Sequence, residues 1–391
     1  MRNLSAFFIL FLFFSCDKSV KDVVQPDVLP VLRISTENKV EVTSKEVYQK
    51  AFMEIEGENP FKGNIEIRGR GNTTWTYPKK PFKIKLDEKA GLLGLPKAKR
   101  WVLLANYLDP SLMLNAVSMK LGQLLNMEYT NHIIPVDLWL NNEFLGNYTL
   151  TEQIEVGENR VNIGNDGVLL SLDTIIESDD IYFESQNYHL LVQVKHPENF
   201  DEIGLDEIKE DFNELENSVF NESFPLTDYL NYLDAESVAK YLIVYTLTCN
   251  EEINHPKSTY MYKRAGSKFK LGPIWDFDWA FSYEQSQVHY VNPNRSLFWE
   301  WDAKGTIFFQ RIASDPRIKS LMKSHWQSFR ENDFNELLDF IDLYASQIED
   351  SRKADYKKWG RGESSIDLEK EALKNWLILR AKYMDELMIS F

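Results

Sequence analysis

Two aspartates separated by one phenylalanine, Asp276 and Asp278, stand inside the apolar run 273–281 (PIWDFDWAF). A carboxylate buried alone costs several kcal/mol, so this pair needs a strong partner. Oxygen ligands two residues apart lie on one side of an extended chain and suit a hard cation such as Mg²⁺ or Ca²⁺. A salt bridge would serve the same need. A second group of reactive side chains lies upstream, in the segment 250–260 (NEEINHPKSTY). Asn250, Glu252 and His255 there supply amide, acid and imidazole chemistry, enough for a general base and a further metal ligand. A third is the segment 68–75 (RGRGNTTW), in which arginines alternate with glycines. Such a loop lets backbone N–H groups approach an anion, while the Arg forks hold phosphate oxygens. Arg70 and Asn72 are its candidate ligands. The fourth is the run 79–85 (KKPFKIK), where Lys83 lies on a strand beside that loop and can pair with nucleotide phosphates.

These groups need elements to hold them. Alternating apolar residues predict strands at 31–35, 51–55, 64–68 and 81–86, with Phe82, Ile84 and Leu86 on one face and Lys83 and Lys85 on the other. The strands around the Arg-Gly loop form a hairpin-like unit. A helix is expected over 111–126, carrying the stripe Leu114, Val117, Leu121 and Leu124. Strands return over 133–152 around an Asn141-Asn142 turn, and again at 167–173 and 189–195. Helical patterns follow at 205–220, 227–232 and 235–249, then a short β section at 258–272. Residues 305–391 are helical, with Trp326, Trp359 and Trp376 for packing. The fold class is α+β, with a β-rich part over about 31–200 and an α-rich part over about 201–391.

Composition narrows the function. The net charge of −16 argues against a nucleic-acid binder, because phosphate contacts need a basic face. The six histidines lack metal-ligand spacing, and no Gly-x-Ser-x-Gly or Walker loop occurs, which disfavours zinc and serine hydrolases. The N-terminus has its own character. A basic start, an apolar run from Ala6 to Phe14, and Ser15-Cys16 resemble a bacterial lipoprotein signal: residues 1–15 as signal peptide, Cys16 as the lipidated residue and 16–30 as a tether. That placement implies a membrane-anchored protein of the cell envelope, held through its lipid only. With Cys16 so used, Cys249 has no disulfide partner and is expected to be a small buried residue.

Five separated motifs together resemble the CotH kinase family: 68–75, 79–86, Trp101 to Tyr107 with Asp109, Gly146 to Glu152, and Ile274 to Asp278. Their order and spacing extend the likeness over roughly 30–385. The resemblance implies a divergent protein-kinase-like two-lobed fold over 31–391, and phosphorylation of Ser or Thr on exported proteins with ATP and Mg²⁺, Mn²⁺ or Ca²⁺. Lys83 would contact the ATP phosphates and Glu152 would lie near a hinge-like strand end. Asp276 would be the metal-binding aspartate, Asn250 would help to hold the metal, and Asp278 would add an oxygen. Kinase-active relatives carry a catalytic Asp in the loop before the last β section. Here that loop offers Glu252 as the candidate base, with His255 second. Two other readings use the same residues: a non-catalytic surface module that binds a protein or glycan through the aromatics of 275–301, and a Ca²⁺-stabilised structural protein.

Overall fold

The computed structural model describes residues 28–178, 180–199 and 202–391. The expected signal peptide, Cys16 and the tether as far as residue 27 lie outside them. The first strands are β1 (Val31–Thr36), β2 (Gln49–Glu56), β3 (Phe61–Gly69), β4 (Phe82–Ala90) and β5 (Ala98–Leu104). After the helix α1 (Leu114–Leu124) come β6 (Ile133–Leu140) and β7 (Glu143–Glu152). These seven strands close into a barrel in the order β1-β2-β3-β4-β5-β7-β6, sealed by parallel pairing of β1 with β6. The alternation read from the sequence fills its interior: Ile34, Met53, Ile67, Ile84, Leu103, Val136 and Leu150 belong to one core cluster. Alternation alone does not separate a closed barrel from an open sheet. Closure is a property of pairing between distant strands, and it removes unpaired edges.

The rest of the chain builds a second sheet and most of the helices around the larger of two core clusters. Strands β8 (Val168–Leu172), β9 (Tyr182–Glu184) and β10 (Leu191–His196) form a second sheet with β11 (Thr259–Lys263) and β12 (Lys270–Leu271), in the order β12-β11-β8-β10-β9. One sheet therefore draws strands from both sides of residue 200. Helices α2 (Glu202–Phe220) and α3 (Ala235–Thr248) lie between β10 and β11 in the chain. Helices α4 (Lys304–Ala313), α5 (Pro316–Asn332), α6 (Phe334–Trp359) and α7 (Ile366–Ile389) follow. The helix expected at 227–232 is only a 3-10 turn, Tyr229–Asn231. The buried Tyr229 anchors it by donating its hydroxyl to Asp315 at 2.6 Å. Strand β5 shows how the two cores share one element. Trp101 and Leu103 face the barrel interior, while Val102 belongs to the larger cluster that also holds α1, α3 and the C-terminal helices.

Helix α6 is keyed into the barrel. Asp355 accepts from Lys79 Nζ at 2.6 Å and from the Asn147 N–H at 2.9 Å. Both side chains of that ion pair are almost solvent-free, at 1% and 6% exposure. Ser351, on the same helix, accepts from Asn147 Nδ2 and donates to Asp137. The Trp359 indole donates to the Leu145 carbonyl at 2.9 Å.

Candidate active site

The Arg-Gly segment at the end of β3 begins with Arg68, which pairs with Lys83 across the hairpin. Its two glycines have steric reasons. A Cβ on Gly69 would lie 2.4 Å from the Trp75 ring, and Gly71 has φ +79 with Thr74 Oγ1 only 2.0 Å from where its Cβ would be. Only glycine allows both the close packing and the left-handed turn. The fold then brings Arg70 against the Trp275 ring, 5.5 Å from its centroid. The hairpin loop thus meets the Trp-Asp-Phe-Asp segment about two hundred residues later.

That segment is fixed from three sides. Asn250 is fully buried. Its Nδ2 donates to the Asp276 carbonyl at 3.0 Å, and its Oδ1 accepts the Glu252 N–H at 3.3 Å. Asn115, in the first turn of α1, accepts the Phe277 N–H at 3.1 Å and donates to Asp278 Oδ1 at 2.9 Å. It also donates to Asn106 Oδ1 at 3.1 Å, and Asn106 donates to Thr149 Oγ1 on β7 at 2.8 Å. Asp276 itself has φ 63, a left-handed conformation that few residues other than Gly adopt and that clusters at functional sites.

A cavity of about 150 Å³ opens between these pieces. Arg70 and Asn72 line it from the barrel loop, Asn106 and Asn115 from its floor, and Asp173, Glu252, Lys257, Asp276 and Asp278 from the second sheet and its loops. Small-molecule sites usually occupy about 300–1,000 Å³, so this volume suits a phosphate centre rather than a whole nucleotide. Burial, together with Asp278, pushes the Asp276 carboxyl up to about 6, against the pull of Arg70 and Lys257. Asp278 is pushed up to about 6, first by burial, with Asn115 and Arg70 opposing. Burial and then Asp276 raise Glu252 well above the usual carboxylate range. Its Oε2 is buried with no hydrogen-bond partner.

An all-oxygen donor set of this kind fits Mg²⁺ or Mn²⁺. Among the described residues no group of three or more His, Cys, Asp or Glu could hold a metal ion by itself.

Of the expected site residues, Arg70, Asn72, Glu252, Asp276 and Asp278 line the one cavity. Lys83, Glu152 and Asn250 do not. Asn250 ties the two acidic segments together from beneath. Glu152 Oε1 pairs with His132 Nδ1 at 2.6 Å and Oε2 accepts the His132 N–H at 2.9 Å, so it is spent on the β6–β7 end of the barrel. Lys83 stands on the outer barrel face. Burial and the neighbouring Arg68, Arg70 and Arg100 lower its ammonium to about 8, with Glu155 opposing. Arg70 is therefore the shared neighbour of Lys83 and the aspartates. His255 is exposed and pairs with Glu300 at 2.5 Å, away from the cavity. Cys249 is buried, as its apolar surroundings imply, and burial raises its thiol.

Sequence reasoning gave no role to Asn115, Asp173 or Lys257. Asn115 left a signal: an amide next to Leu114 on an apolar helix must find partners when buried. Asp173 left none, because its approach to Asp276 depends on how β8 and β11 pair.

A family profile described as CotH kinase protein matches residues 67–384, a span that contains every residue of the cavity. No curated protein matches the chain.

Proposed function

The chain belongs to the CotH kinase family, and from that premise we propose that it is an atypical, two-lobed protein kinase that moves the γ-phosphoryl group of ATP onto Ser or Thr of exported proteins. One observation carries the reading: Arg70 and the acidic trio Glu252, Asp276 and Asp278 share one cavity although they come from three separate places in the sequence. Phosphoryl transfer asks the protein mainly for positioning and charge stabilisation. Arg70 supplies a fixed fork for phosphate oxygens. Asp276 and Asp278 would hold a divalent cation, which when bound would neutralise charge on the phosphates. The acceptor oxygen bonds to the γ-phosphorus as its bond to the β,γ-bridging oxygen breaks. ADP leaves, and Glu252 takes the hydroxyl proton. Burial and the two aspartates raise Glu252 well above the usual carboxylate range, the direction in which a carboxylate gains affinity for the hydroxyl proton. A lipid on Cys16 would hold this activity at the cell envelope.

The test is direct. Purified full-length chain is incubated with γ-labelled ATP, Mg²⁺ or Mn²⁺ and casein as a Ser/Thr acceptor. Metal-dependent label on protein is expected. ATP binding without any transfer would favour a binding module, and absence of ATP binding would overturn the nucleotide reading.

Lys83 carries a second prediction. In this reading its ammonium, on the cationic row with Arg68, Arg70 and Arg100 and facing Glu155, meets the phosphates away from the aspartates. A lysine lowered to about 8 loses its charge as pH rises through 8. ATP affinity should therefore fall between pH 7.5 and 9.5, by up to about tenfold per pH unit. Lys83→Arg, which stays charged, should flatten the profile. Equilibrium ATP binding across that range checks it, and an equal slope in both proteins would remove Lys83 from the site.

A further inference from the structure

Lys257 lies in the loop between α3 and β11, five residues after Glu252. Its ammonium stands 4.3 Å from the centroid of the Trp279 ring. Among the described residues it has no salt-bridge or side-chain hydrogen-bond partner. It nevertheless acts electrostatically on both Glu252 and Asp276. Lys257, Glu252 and Trp279 line the phosphate-sized cavity and also a neighbouring groove of about 700 Å³ that runs out to Tyr283 and Trp299. The two spaces meet at these three side chains. A hydroxyl entering from the groove passes Glu252 and Lys257 before it reaches Asp276.

A cation kept on an aromatic face is partly desolvated and held without being neutralised. Charge on a transferring phosphoryl group spreads over its three equatorial oxygens. Accepting the kinase reading above, we propose that Lys257 is a catalytic residue that neutralises the phosphoryl group in transit, at the junction of the nucleotide cavity and the acceptor groove. Arg70, from the barrel loop, instead serves the bound nucleotide. In the step itself the acceptor oxygen–phosphorus bond forms, the bond to the β,γ-bridging oxygen breaks, the proton passes to Glu252, and ADP departs. Lys257 keeps its proton throughout and contributes only its charge.

This division of labour separates kcat from binding. The full-length chain and its Lys257→Met and Lys257→Arg variants are assayed with γ-labelled ATP, Mg²⁺ and casein. Binding of ADP and of ADP with aluminium fluoride is measured in parallel. Lys257→Met should lose about 100-fold or more in kcat, with KM for ATP changed less than about threefold. ADP binding should be unchanged, whereas the aluminium fluoride complex should weaken about as much as kcat falls. Lys257→Arg should recover most of the rate. Unchanged ADP binding certifies the fold, and Lys257→Gln replaces the Met variant if that one does not fold. Retained kcat in Lys257→Met, or equal weakening of both ADP complexes, overturns the role of Lys257 and leaves the kinase reading standing. A wild-type chain that neither binds ATP nor transfers phosphate overturns both.

Discussion

Replacing Asp276 by Asn should abolish measurable transfer while making the metal-free protein more stable. The two effects have one cause. Asp276, Asp278 and Glu252 share a cavity in which burial raises all three carboxyls, with repulsion added by Asp278 on Asp276, by both aspartates on Glu252, and by Asp109 on Asp278. For function, the variant loses a hard, charged oxygen that would hold the cation on the phosphates. A loss of at least about 10²–10³-fold is expected from removing one fixed electrostatic group. For stability the sign is opposite. A carboxyl whose folded pKa is raised, here from 3.8 to about 6, favours folding while protonated. That contribution is complete below about pH 4 and is lost as pH rises through 6. At pH 7 without metal, wild type therefore carries a repulsion that the amide lacks. Asp276→Asn should melt about 2–4 °C higher at pH 7, with the difference vanishing near pH 4. Excess Mg²⁺ with ATP should raise the melting point of wild type alone. Thermal melts over pH 4–8, beside label transfer, test this. A variant less stable than wild type at pH 7 would show that the aspartates are structural rather than held in tension for a ligand.

Asp355→Ala should be the most damaging single change to stability away from the cavity. Its partner Lys79 is 1% exposed and is held at 2.6 Å. Breaking a buried ion pair from one side leaves an uncompensated charge and costs about 3–5 kcal/mol. The Asn147 N–H loses its acceptor as well. Burial already lowers Lys79, and Asp355 opposes that shift. Without Asp355 the ammonium falls further, so the penalty should be full at neutral pH and ease as alkaline pH neutralises Lys79. The double variant Lys79→Met with Asp355→Leu should recover most of the loss. Urea unfolding of wild type, Lys79→Met, Asp355→Leu and the double variant closes the cycle, and a loss under about 1 kcal/mol in Asp355→Ala would mean that Lys79 finds another anion. The damage should reach the site. Lys79 lines the cavity, and the Pro81 carbonyl accepts the Arg70 N–H at 3.2 Å, so loosening this segment also loosens Arg70.

The strands over 31–86 and 133–152, and helices α1, α3 and α5 to α7, follow from local apolar spacing, which the sequence states directly. The family likeness rested on five separated motifs, and the matching profile covers all five whole, beginning just before the first. The barrel closure was not legible, because parallel pairing of β1 with β6 joins residues about a hundred apart and leaves the alternation unchanged. The same holds for the second sheet, where β11 pairs with β8.

By itself, the sequence determined which chemistry was present: arginines on a glycine-bearing loop, a lysine-rich strand, and carboxylates in an apolar run that had to have partners. Side-chain type and period-two or period-3.6 spacing are local quantities. Tertiary structure alone decided which of these groups meet. It put Arg70 beside Asp276, spent Glu152 on His132, set Lys83 outside the cavity, and left Lys257 unpaired at its mouth. Distance between residues far apart in sequence comes from strand pairing and core packing, and no single segment carries that information.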